Sequence, residues 1–98
     1  MATFISLANF TEQGVKNFQD TPQRSEAFKA MAKKMNVAVK EIFWTIGRYD
    51  IVLILDAPDD ETIAALMLQL SSLGNVKTQT LRAFDAAGMK KIIAKTSS

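Results

Sequence analysis

"WTIGRYDIVLILDAPDD", residues Trp44–Asp60, decides the fold of this 98-residue chain. Its head, Trp44–Asp50, crowds an indole, a glycine, a guanidinium, a phenol and a carboxylate together, and Ile51–Leu55 then form an unbroken aliphatic run. Successive side chains of a strand point to opposite faces, so a strand with one wet face alternates apolar and polar residues. Here Ile51, Leu53 and Leu55 point one way and Val52 and Ile54 the other, which makes both faces apolar. Pro58 with Asp59, Asp60 and Glu61 ends the run and supplies cap and anionic residues for the positive end of a helix dipole.

Upstream, "AVKEIFWTI" (Ala38–Ile46) reads as a strand, and "GR" or "GRYD" as a tight connection in which Gly47 tolerates positive φ. Ala38–Ile46 and Tyr49–Asp56 are therefore expected to form a hairpin. Downstream, Ile63, Leu66, Met67, Leu70 and Leu73 recur at helical spacing, and Gly74 closes that helix. "NVKTQTLRAF" (Asn75–Phe84) alternates as a further strand. Asp85 is placed to cap a short C-terminal helix to about Ala94, with Phe84 and Met89 as a hydrophobic staple, leaving 95–98 as a frayed tail.

Towards the N-terminus, "TFISLAN" (Thr3–Asn9) reads as the first strand, with Phe4 and Ala8 opposite Ile5 and Leu7. Thr11 is expected to cap a short helical turn. Thr21 followed by Pro22 is expected to open a longer helix, with Ala27, Phe28, Met31, Ala32 and Met35 as its apolar stripe and an end near Asn36. The order βαββαβ plus a terminal helix predicts an α+β ferredoxin-like sandwich of one domain, residues 1–98, with a four-stranded antiparallel sheet in the order 4-1-3-2. Both main helices then lie on one face of the sheet. Leaving the other apolar face wet would forgo about 1.5–3 kcal/mol for each large side chain, so a second copy is expected to cover it. Ile5, Leu7, Ile51, Leu53 and Leu55 are the candidates for that homodimer interface, with higher assembly left open.

Composition narrows the chemistry. The chain has no cysteine and no histidine, which excludes thiolate catalysis, disulfides, Ser/His/Asp triads and His- or Cys-ligated metal. Its net charge is +2, and its lysines are scattered without the interleaved aromatics that stack bases, so no nucleic-acid partner is expected. Apolar runs fall far short of the roughly 20 residues of a membrane span, and the N-terminus lacks the pattern of a signal peptide. A cytoplasmic protein with no membrane partner is expected. Asp59, Asp60 and Glu61 read as cap and dipole partners rather than as a metal site.

Three blocks carry a family resemblance: "MATFISLANFTEQGVKN", "FWTIGRYDIVLILDAPDD" and "LSSLGNVKTQTLRAF". Together they resemble the GYD-domain family, whose Gly-Tyr-Asp motif is matched by Gly47, Tyr49 and Asp50 with Arg48 inserted. The resemblance implies a dimeric α/β-barrel fold. Relatives by fold include cofactor-free monooxygenases, haem-degrading enzymes and effector-binding modules of transcription regulators. The haem-dependent members use a histidine, which this chain lacks, and no cofactor is expected.

The expected topology gathers Asn9, Thr11, Gln13, Trp44, Arg48, Tyr49, Asp50 and Asn75 at one end of the sheet. Of these, Asn9, Trp44, Arg48, Tyr49, Asp50 and Asn75 are the candidates for lining a small-molecule pocket, since polar groups converge there beside an aromatic at the rim of an apolar core. Each also has a structural reading: Gly47 as the turn, Asp50 or Arg48 as a hydrogen-bond partner of the turn or of the N-terminal helix segment, Trp44 as core or interface. The first functional expectation is a small-molecule-binding or assembly homodimer without catalysis. The second is a cofactor-independent monooxygenase or isomerase of an aromatic or polyketide-like substrate, with Asn9, Trp44, Arg48 and Tyr49 orienting the ligand and stabilising an enolate-like anion. The third is an effector-sensing module.

Overall fold

The structure, a computed structural model, describes residues 1–97. In chain order the elements are β1 (Ala2–Phe10), α1 (Glu12–Lys16), a 3-10 turn at Phe18–Asp20, α2 (Thr21–Lys34), β2 (Ala38–Trp44), β3 (Ile51–Ala57), α3 (Asp60–Ser72), β4 (Val76–Ala83) and α4 (Ala86–Ala94). Of the expected frayed tail, Ser98 lies outside the described residues.

The strands form one sheet in the order β2-β3-β1-β4, and every neighbouring pair is antiparallel. This is the ferredoxin-like arrangement expected from the sequence. The barrel is overturned: the sheet is open, with β2 and β4 as its edges, each bonded to one neighbour. Apolar residues on both faces of β1 and β3 do not require closure. The cross-strand neighbours of the helix-free face already half-bury one another, with Ile5 between Ile54 and Leu81 and Leu7 beside Val52.

One face carries the core. Phe4, Leu53 and Leu55 of the sheet pack against Phe28 and Ala32 of α2 and Ile63, Leu66 and Met67 of α3. Among the described residues Ser6 is the one buried polar side chain, and its hydroxyl lies 3.5 Å from Met67 Sδ and 3.1 Å from Thr80 Oγ1, so it is satisfied. Leu53 and Leu55 are thus core residues on the helix side, whereas Ile5 and Leu7 lie on the helix-free side. Ile51, paired with Ala8, also belongs to the helix side. The five dimer-interface candidates do not form one surface, because alternation along β1 and β3 divides them.

The expected caps hold in part. Thr11 Oγ1 accepts from the Gly14 N–H, Asp59 from Thr62 and Asp85 from Gly88. The Thr62 hydrogen bonds, from its side chain first and its backbone second, hold the Asp59 carboxyl below its ordinary value. Thr21 is not a cap: it sits inside the first turn of α2, Asp20 takes the cap position without a side-chain bond, and the Thr21 hydroxyl accepts from the Trp44 indole instead. The helix ends in a Schellman motif, with Asn36 at φ 60°, its N–H on Lys33 O and the Val37 N–H on Ala32 O.

Two features of β2 matter for the site. Its pairing with β3 shifts between Val39 and Glu41, a bulge around Lys40. It also stops at Trp44, and β3 starts at Ile51, so the connection spans residues 45–50 rather than a tight turn. That loop is closed by Thr45 N–H on Asp50 O (2.8 Å) and Thr45 Oγ1 on Tyr49 O (2.6 Å), with Gly47 at φ 124° and Ile46 fully exposed at its tip. Helix α4 contributes no buried side chain, and the molecule is elongated, 54 × 31 × 18 Å. Among the described residues no helix is long and apolar enough to cross a membrane.

Candidate functional site

The two long helices do not close over the whole sheet. Between α2 and α3, above β3, lies a cleft of about 110 Å³. Its walls are aliphatic and aromatic: Phe28 and Met31 from α2, Ile42 and Leu53 from the sheet, and Leu70 from α3. Trp44 stands at its mouth, 46% exposed, with Nε1 donating to Thr21 Oγ1 at 3.0 Å. That bond pins the end of β2 to the first turn of α2 and fixes the orientation of the ring. Asn75 and Arg24 are also among its lining residues.

Of the six pocket candidates, Trp44 and Asn75 line this cleft. Asn75 is held from both ends: its carbonyl accepts from the Thr11 N–H at 3.0 Å and its Oδ1 from Gln13 Nε2 at 3.0 Å. The others lie elsewhere. Tyr49 directs its hydroxyl to Gln79 Oε1 at 3.4 Å, and Gln79 pairs with Leu7 on the helix-free face. Asn9 pairs with Lys77 on that same face, and Arg48 is exposed in the loop. Trp44 and Tyr49 therefore stand on opposite faces of the sheet, and the arrangement of Asn9, Trp44, Arg48 and Tyr49 around one substrate is not assembled.

Asp50 has a structural duty. Its Oδ2 accepts from the Phe10 N–H at 2.8 Å, while its own N–H donates to Ala8 O at 2.9 Å. The carboxylate thus satisfies a part-buried donor where β1 runs past the start of β3 while still paired with β4. Asp50→Ala should cost about 1–3 kcal/mol in urea unfolding, since it orphans that donor, and Asp50→Asn should recover most of the loss through its remaining carbonyl oxygen. Equal destabilisation by both variants would show that charge, not the acceptor, is what matters.

Residues of the cleft that sequence reading did not single out as a site include Thr21, Arg24, Met31 and Leu70. Met31 and Leu70 read as core stripe in the sequence, and nothing in their spacing distinguishes a wall of a cleft from the middle of a core.

The chain is similar to known proteins. The GYD domain model matches residues 4–93. The chain is 36% identical over 90 residues to the glutamine synthetase and cystathionine beta-lyase binding protein of Thermus thermophilus, an alignment covering 91% of this chain and 95% of the relative. It is also similar to the crystal structure of TTHA0845, likewise from Thermus thermophilus, with a TM-score of 0.58 and 26% identity over 88% of this chain and 96% of that one.

Proposed function

This chain belongs to the GYD domain family, and from that premise we propose that it is a non-catalytic binding protein that assembles as a homodimer through the helix-free face of its sheet. The observation that carries the reading is the composition of that face. Ile5, Leu7, Val52 and Ile54 form a contiguous patch by register, extended by Phe43 beside Val52 and by Leu81 beside Ile5. Phe43 and Leu81 are 49% and 44% exposed. A contiguous apolar surface of this kind marks an interaction site, and burying each large side chain contributes about 1.5–3 kcal/mol. Two open sheets stacked face to face would cover it, at the usual spacing of about 10 Å. The Thermus relative is named as a binding protein for two enzymes, which supports protein binding as the general role.

Sedimentation equilibrium tests the assembly. The wild type should sediment at twice the 10.8 kDa chain mass, and Ile54→Lys, which places a charge at the centre of the patch, should sediment as a monomer with unchanged far-UV circular dichroism. A monomeric wild type, or a dimer that survives Ile54→Lys, refutes the reading.

A further inference from the structure

The cleft between α2 and α3 lies on the helix side of the sheet, away from the face proposed to pair, so it is free whether or not the chain dimerises. Phe28, Met31, Leu53 and Leu70 give it walls that offer water no strong hydrogen-bond partner. Among the described residues, none of those lining it is a carboxylate. Arg24 belongs to the lining, but its guanidinium donates to Gly14 O at 3.1 Å and lies 6.0 Å from the centre of the Phe10 ring, and neither Gly14 nor Phe10 lines the cleft. What polar character remains is neutral: the Thr21 and Ser25 hydroxyls and the Asn75 amide, whose Oδ1 already accepts from Gln13. Trp44, the chain's one tryptophan, stands half-exposed at the mouth. Its one polar atom, Nε1, is spent on Thr21 Oγ1, so the ring offers a ligand only its apolar surface.

We infer that this cleft binds a small uncharged apolar molecule of about benzene size, its body against Phe28, Met31 and Leu70 and its outer part against the Trp44 ring. Size sets the upper bound. A dry cavity of about 150 Å³ lined by aliphatic and aromatic residues holds a benzene molecule. A cleft of about 110 Å³ that opens to solvent therefore takes a single ring with part of it at the mouth. Charge sets the class. An ammonium or carboxylate drawn between these walls would lose its water and find no opposite charge, whereas a hydrocarbon gains by leaving water. Water held against such walls is poorly bonded, and its displacement by an apolar group favours binding. Met31 suits the contact, since its unbranched thioether adapts its shape and packs well at the edge of an aromatic ring.

Titration of the full chain with toluene tests this, read by the fluorescence of Trp44, with benzoate and benzylamine as comparisons that carry the same ring and a charge. A saturable change is expected with toluene at millimolar concentration or below, and the two charged compounds should bind more weakly by about tenfold or more. Toluene should also raise the thermal midpoint, as a ligand of the folded state does. Ala27→Phe, at an exposed position of the lining on α2, places a ring across the opening. It should remove both effects while circular dichroism shows a folded chain. Equal affinity for toluene and benzoate overturns the inference, as does unchanged toluene binding in folded Ala27→Phe. So does the lack of any saturable change up to about 5 mM, weaker than the millimolar end of ordinary affinities.

Discussion

Gly14→Ala should destabilise the chain by about 3 kcal/mol or more, although helix propensity alone would make it stabilising by roughly 1 kcal/mol. The opposition comes from where α1 sits. A methyl group on Gly14 would overlap the Asn75 carbonyl oxygen and lie 2.8 Å from its carbon and 3.1 Å from its Cα. These are backbone atoms, so no rotamer change relieves the contact; α1 must lift off the turn between α3 and β4. That turn is where Thr11 N–H meets Asn75 O, Thr11 Oγ1 donates to Gly74 O at 2.5 Å, and Gln13 Nε2 donates to Leu73 O at 3.1 Å. Lifting the helix strains or breaks this set, each bond worth about 0.5–1.5 kcal/mol net. Urea unfolding followed by circular dichroism measures it, and a midpoint equal to or above wild type would mean that the close approach of α1 to Asn75 is not a feature of the folded chain.

Leu55→Ala is the second large effect, expected at about 2–5 kcal/mol. Leu55 is fully buried in the central strand β3, paired with Phe4 on one side and Val39 on the other, beneath both long helices. Truncation leaves a cavity that a strand bonded on both edges cannot collapse to fill. Its neighbour Ile54 points the opposite way, so Ile54→Ala separates the two faces. Ile54→Ala should be mild in dilute protein and grow costlier as concentration drives pairing of the helix-free faces, whereas the cost of Leu55→Ala should not follow concentration in that way. Parallel denaturation series at two protein concentrations distinguish them.

Why could the sequence show the strands and helices but not the site? The elements were legible because periodicity is strong where packing is regular: Phe28 and Ala32, or Ile63, Leu66 and Met67, fall on one helical face and do enter the core. The site depended on parity, which is fragile. Val39, Ile42 and Trp44 share the helix side because the bulge at Lys40 re-phases β2 by one residue; without it Val39 would share a face with Phe43. The loop 45–50 breaks the alternation again: Tyr49, two residues before Ile51, would share its helix side if β3 began earlier, yet its hydroxyl reaches Gln79 on the helix-free face. Nothing in residue type announces either event. Thr21 shows the same limit, since its hydroxyl had a local use as a cap and a distant one on Trp44, and the distant one prevailed. The open sheet is of this kind too: apolar residues on both faces of β1 and β3 say that each face has neighbours, not whether the edges join.

That same bulge bears on edge-to-edge pairing of the sheet. An open sheet offers two rows of unsatisfied backbone groups, and an incoming strand that matched their spacing could extend the sheet without limit. At the β2 edge the spacing is interrupted at Lys40, whose ammonium is drawn to Asp56 at 3.8 Å. A template broken in the middle and marked with a charge gives an added strand only short stretches in register, which disfavours lateral growth at that margin.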